Sequence, residues 1–486
     1  MAASTDIATP VLVNHARQHP PETMMSHVTS VSPRPAGPRV WGVLVFLLFA
    51  VLYVASASQD RVTINNDVST GGIGAWRIAE TGQPWLDDAQ GELTSMVRDD
   101  TWVGSNADNG RPVASRSPGV VAASVPASLI AQRVLGQDDF SPAPQAVTAA
   151  LLTAAAVTLL FLALRTRLSH PRALLATVVF GCATPVWSVA ANALWPHTLT
   201  ILGVTGMAWA SSQRRWALAG LFGGLALWGR LHATLIVAAV GLGVSVYRRQ
   251  VRPVIVVGAL SLLALSLASV WSLWVYGSWL PSGGYGANPL DRAVNSSYRT
   301  AEGGYLSNLA GFLVSPGFGL LVWTPALVIC VPAVVRGWRD CPDWAKSLVL
   351  GGLAYTLFQV RINTFTGGQG FYGYRHGLEL LVCLTPCIAF SLHRAGRWAR
   401  AMLPPLLALQ FAVIALGSVF DGGFVGRERA WSANAFVLIV REAPAIGVLA
   451  VLIAAGVWLA WRSTTAQTWL TADVPAHQDV VRSRSD

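Results

Sequence analysis

A single lysine, Lys346, stands among the 34 basic residues, and charged side chains of either sign make up only 12% of the chain. So little charge cannot cover a water-soluble globule of 486 residues. The phosphate-loop pattern G-x-x-x-x-G-K is absent, which excludes a P-loop ATPase. H-E-x-x-H and paired C-x-x-C motifs are absent too, removing the commonest zinc signatures. The five cysteines (182, 330, 341, 383, 387) fall in apolar runs or in basic connections, so a disulfide framework is excluded. Cys383 and Cys387, four apart on one helix face, read as small buried thiols. No internal repeat supports a duplicated transporter half. A cleavable signal peptide is not expected either: residues 1–39 are polar and Pro-rich, and a full-length apolar run follows.

What the chain has in abundance is apolar sequence, 53% of its residues. About twelve runs are each long enough to cross a ~30 Å hydrocarbon core. They lie near 40–58, 144–164, 172–190, 194–210, 215–229, 231–247, 253–276, 318–336, 347–363, 377–392, 402–420 and 437–461. The expected fold class is therefore all-α, a polytopic membrane protein. Residues 1–39 and 463–486 are expected to be disordered cytoplasmic tails flanking a transmembrane domain over 40–462. Arginines crowd the even-to-odd connections: Arg165, Arg167 and Arg172; Arg214 and Arg215; Arg248, Arg249 and Arg252; Arg336 and Arg339 with Lys346; Arg394, Arg397 and Arg400. Short basic loops stay cytoplasmic, which puts both termini inside a cytoplasmic (inner) membrane and the other loops outside. The net charge of +10 is this topological signal and needs no nucleic-acid partner.

Acidic residues are distributed the other way. Of 24, eleven lie in one outer loop, 59–143. Acids hardly steer insertion, so the loop is either a solvated domain or a place that uses carboxylates. Helices are expected within it over about 68–81 and from Ser117-Pro118 to near Gly136, lying along the membrane surface with Ile73, Trp76 and Ala79 on one face. Six of nine tyrosines (276, 285, 298, 305, 372, 374) lie in or beside the outer segments 277–317 and 364–376. Their rings suit sugar stacking or the membrane interface.

Several outer residues carry chemistry. Asp67, after Asn65 and Asn66, is either the N-cap of the first surface helix or a base for an incoming hydroxyl. Arg230 and His232, in "LWGRLHATL", and Arg375 and His376, in "YGYRHGLEL", place guanidiniums where a lipid phosphate would lie. The alternative for Arg375 is an internal bridge to Glu379, four residues on. His197 opens another apolar run at the same surface, and Ser315-Pro316 suits a tight or re-entrant turn.

Together these segments resemble the C superfamily of integral-membrane glycosyltransferases (the GT-C fold), in a bacterial branch. "NNDVSTGGIGAWRIAETGQPWLDD" is similar to the first-loop segment bearing that family's catalytic Asp. "SPGVVAASVPASLI", "LWPHTLTI", "LWGRLHATLI", "SPGFGLLVWTPAL" and "GGQGFYGYRHGLELLVCLTP" are similar to its recurring signatures across roughly 40–400. The resemblance implies a polyprenyl-phosphate sugar donor, Asp67 as catalytic base, and Arg230, Arg375 and His376 as the donor-phosphate grip. His197, Tyr372 and Tyr374 are the expected substrate-binding residues. The acceptor is expected to be a glycan, lipid or protein of the cell envelope. Asparagines replace the paired acidic motif before Asp67, so a divalent cation is left open as cofactor. A transporter or lipid flippase is the alternative. It should carry ionisable groups at mid-membrane and interrupted helices, whereas Glu379, the main acid inside an expected span, lies near that span's outer end.

Overall fold

The computed structural model describes residues 38–57, 66–87, 103–282, 304–368, 370–420 and 424–463. Both expected tails, apart from 38–39 and 463, lie outside these residues, as do Tyr285, Tyr298 and five of the first loop's acids. Helix accounts for 76% of the described residues and strand for 2%. The elements in chain order are α1 (Pro38–Ala55), α2 (Asn66–Thr81), β1 (Val103–Ser105), β2 (Pro112–Ala114), α3 (Pro118–Arg133), α4 (Ala143–Leu164), α5 (His170–Cys182), α6 (Pro196–Ser212), α7 (Trp216–Gly229), α8 (Thr234–Arg248) and α9 (Arg252–Tyr276). After these come α10 (Gly304–Val314), α11 (Leu320–Trp323), α12 (Ala326–Gly337), α13 (Asp343–Ile362), α14 (Leu378–Ser391), α15 (Arg397–Val419), α16 (Ala435–Glu442) and α17 (Pro444–Ser463).

Among the described residues, five helical stretches are long and apolar enough to cross a membrane: 143–164, 231–248, 252–276, 397–419 and 444–462. Twelve uniform crossings are not what the helices display, because several apolar runs are interrupted. After α5 the chain passes through a π-helical turn, Val186–Ala191, between Pro185 and Pro196. The run 318–336 breaks between α11 and α12 at Pro325, and the last run breaks before Pro444. Proline removes a backbone donor and clashes with the preceding turn, so each break sits at one. Shorter apolar helices cover Val40–Ala55, Trp216–Gly229 and Gly304–Val314.

One contiguous apolar core runs through the bundle, from Phe49 and Tyr53 to Ile414 and Ile439. Its tightest seam is α6 on α7, where Gly203 lets the backbones meet. A Cβ there would lie 2.6 Å from the Ala226 amide nitrogen and the Phe222 carbonyl oxygen. Backbone atoms cannot rotate away, and small residues at helix crossings serve this close approach. Gly203→Val is expected to destabilise the protein by about 1–3 kcal/mol, read as a lower melting temperature in detergent.

The two ends of the bundle differ in chemistry. At one end the basic connections knit together. Arg167 and Arg394 donate to Asp340 at 3.3 and 3.0 Å, Arg248 pairs with Asp343, and Lys346 donates to the Arg339 carbonyl at 3.3 Å. From there α13 runs to Gln359, roughly 24 Å along at 1.5 Å per residue. At that opposite end lie α2, α3 and the β1–β2 ribbon. The ribbon is antiparallel, with Val103 opposite Ala114. Asn106 turns it by accepting from the Asp108 and Asn109 amides, and ties it to α9 by donating to the Val275 carbonyl at 3.1 Å.

The first-loop helices form close to their expected places. The apolar face of α2, however, is turned inward: Ile73, Trp76 and Ala79 are buried within the protein. Trp76 meets Phe140 edge to face at 5.7 Å, and α2 packs along α3.

Candidate functional site

Asp67 lies in the first turn of α2, inside the helix rather than at the cap position expected. Its carboxylate is shared between two guanidiniums: Arg116 pairs with Oδ1 and Arg375 with Oδ2. Arg116 also donates through Nε to the Asp67 carbonyl oxygen. Its own backbone is fixed by Tyr276 at the end of α9. That hydroxyl accepts from the Arg116 N–H at 3.1 Å and lies 2.7 Å from its carbonyl. Arg375 is held differently, with its guanidinium 4.4 Å over the Trp195 ring and 5.6 Å from Phe371. Burial would push the Asp67 carboxyl up, but Arg116 and Arg375 outweigh it and hold the group well below the usual carboxylate range.

Arg375 sits at the end of a loop containing four glycines with positive φ: Gly367, Gly368, Gly370 and Gly373. At Gly373, φ of 103° is closed to L side chains, and a Cβ would lie 2.9 Å from Pro185. The loop can therefore lie flat against the interruption after α5.

A second polar group lies beside the first, on the facing ends of α6, α7, α13 and α14. His197 Nδ1 lies 2.6 Å from Glu379 Oε1, with both side chains wholly buried. A carboxylate accepts that Nδ1–H, leaving Nε2 as the acceptor, and Arg230 donates to it. Arg230 also donates to Gln359 Oε1 at 3.0 Å. His376 faces His197 with ring centroids 5.7 Å apart, linking the two groups through its neighbour Arg375. His232 stacks on Tyr355 at 4.6 Å. Among the described residues, the buried nitrogens His376 Nδ1 and Arg375 Nε have no hydrogen-bond partner. Unsatisfied nitrogens next to two arginines suit a polar, anion-accepting ligand.

Asp67, His197, Arg230, Arg375 and His376, expected from scattered segments, thus converge at one end of the bundle. The alternative bridge from Arg375 to Glu379 does not form. Arg375 lies before α14, so the two lack helical spacing, and each takes a different partner. Tyr372 and Tyr374, expected to stack on substrate, are 1% and 2% exposed. The Tyr372 hydroxyl donates to the Val413 carbonyl at 3.0 Å, and Tyr374 meets Thr324 at 3.3 Å. Both rings are core, and Trp195 and Phe371 are the aromatics that touch the arginine. Arg116 and Gln359 carry no periodic signal in the sequence, and Tyr276 reads there as one of several rings suited to sugar stacking or the membrane interface.

The donors among the described residues do not fit a divalent cation. Both Asp67 oxygens are engaged by cations, Glu379 is turned to His197, and among the described residues no three His, Cys, Asp or Glu side chains gather to hold a metal ion. Comparison with family models, with curated proteins and with solved structures finds no match to this chain.

Proposed function

We propose that the chain is an inverting membrane glycosyltransferase of the GT-C type, moving a sugar from a polyprenyl-phosphate donor to an acceptor hydroxyl at the outer face of the cytoplasmic membrane. One observation carries the reading. A partly buried carboxylate, two guanidiniums on it and a third within the adjoining network meet at the bundle end opposite the basic connections. If those connections are cytoplasmic, the site faces outward. A lipid-linked donor would put its tail in the bilayer and its phosphate at that rim.

Asp67 takes the acceptor proton as the acceptor oxygen attacks the anomeric carbon from the face opposite the phosphate. The bond from that carbon to the phosphate oxygen breaks, the glycosidic bond forms inverted, and polyprenyl phosphate leaves. Arg375 and Arg230 offset the charge growing on the leaving phosphate, a role worth about 3 kcal/mol for a well-placed donor. Trp195 and Phe371 fix the Arg375 plane. No step is routed through a metal.

Arg375→Lys keeps the charge but loses the planar fork and the ring stacking. Donor KM is expected to rise by about tenfold or more, with acceptor KM little changed, as read from initial rates.

A second reading, a transporter or flippase, draws on the wholly buried Glu379–His197 pair and the interrupted helices. Purified protein in proteoliposomes separates the two. The first reading expects transfer of sugar from a prenyl-phosphate donor, and the second expects donor movement between leaflets without a glycosylated product.

A further inference from the structure

The two arginines on Asp67 are not equivalent. Arg116 is 1% exposed and held at several points: the Asp67 carboxylate, the Asp67 carbonyl and, through its own backbone, the Tyr276 hydroxyl on α9. Arg375 enters from the glycine-rich loop and meets Asp67 through one guanidinium nitrogen. Among the described residues its Nε is without a partner, and its remaining support there is the flat contact with Trp195 and Phe371. Ring stacking fixes the plane of a guanidinium while leaving its edge free to change acceptors. The exposed side of the pair is also Arg375's, at 11%, beside Asp67 at 14%.

Resting on the function proposed above, we infer that Arg375 is an exchangeable latch: the donor phosphate takes Arg375 from Asp67, leaving Arg116 as the permanent partner and freeing one carboxylate oxygen for the acceptor hydroxyl. A carboxylate gripped by two guanidiniums is a poor proton acceptor, and one gripped by a single guanidinium is a better one. Donor binding therefore arms the base, and an acceptor arriving alone meets a disarmed carboxylate. Water reaching the empty site meets the same disarmed group. The exchange is balanced in charge and hydrogen bonds. Arg375 passes from one anion to another, and the oxygen it leaves accepts from the acceptor O–H.

The inference makes Asp67 a competitor of the donor phosphate, which binding can read without catalysis. Farnesyl phosphate, titrated into detergent-solubilised protein by calorimetry, is expected to bind Asp67→Asn about tenfold or more tightly than wild type. The gain should vanish in Asp67→Asn/Arg375→Gln. If Asp67→Asn alone does not elute as a folded monodisperse species, Asp67→Asn/Arg116→Gln, which removes one cation with the anion, is used, and the same tightening is expected. Equal or weaker binding by Asp67→Asn, or a gain that survives loss of Arg375, overturns the latch while leaving the donor reading standing. Failure of wild type and every variant to bind farnesyl phosphate overturns the donor reading and the latch with it.

Discussion

Asp67→Asn is expected to lower sugar transfer by about a thousandfold, within the range that a positioned general base supplies. The substitution is nearly isosteric and removes only the proton-accepting charge. It also acts on the fold, because two buried or nearly buried guanidiniums lose their shared anion. Breaking a buried pair by deleting one partner costs about 3–5 kcal/mol. The two effects are separable. A purely structural role predicts that folded Asp67→Asn molecules, isolated by size exclusion and assayed well below their melting temperature, transfer at the wild-type rate. A catalytic role predicts that the same molecules remain inactive. Asp67→Glu restores the charge with one extra methylene, so it should recover stability more fully than turnover.

Glu379→Ala is expected to have an equally large effect on stability. Glu379 and His197 are wholly buried, and the chain of contacts continues through Arg230 to Gln359. Without the carboxylate, His197 loses the acceptor that fixes its tautomer and the chain through Arg230 to Gln359 loses its anionic end. The expected cost is about 3–5 kcal/mol, measured as a fall in melting temperature in detergent. Glu379→Gln keeps an acceptor oxygen for His197 Nδ1–H and should lose clearly less. An equal loss in both variants would show that charge alone matters. A negligible loss in both would show that the network is decorative.

Much of this architecture is legible in residue order. Apolar runs of bilayer length mark most of the helices, because nothing else in a chain needs so many consecutive apolar side chains. The breaks at 183–195 and 324–325 are not legible from hydropathy, since the interrupted residues are as apolar as their neighbours; only Pro185, Pro196 and Pro325 mark them. Asp67, Arg230 and Arg375 stand out because a charge beside an apolar run needs a reason. Arg116 sits in a short loop among serines, where an arginine needs none, and its anchor Tyr276 is 160 residues away. Gln359 is uncharged and disappears into an apolar helix. The burial of Tyr372 and Tyr374 is not legible, because a ring suited to a sugar is equally suited to a core, and sequence alone does not tell which face is covered. The bridge from Arg375 to Glu379 failed for a geometric reason: four-residue spacing brings side chains together only where both lie in the helix.

The account depends on one carboxylate and its guanidiniums forming a working transfer site. The most direct measurement is turnover of a labelled polyprenyl-phosphate sugar by purified wild type, Asp67→Asn and Arg375→Lys, each verified as folded and supplied with the same envelope acceptor extract. The account predicts product from wild type, none above background from Asp67→Asn, and product from Arg375→Lys only at raised donor concentration. Wild-type turnover by folded Asp67→Asn would contradict it.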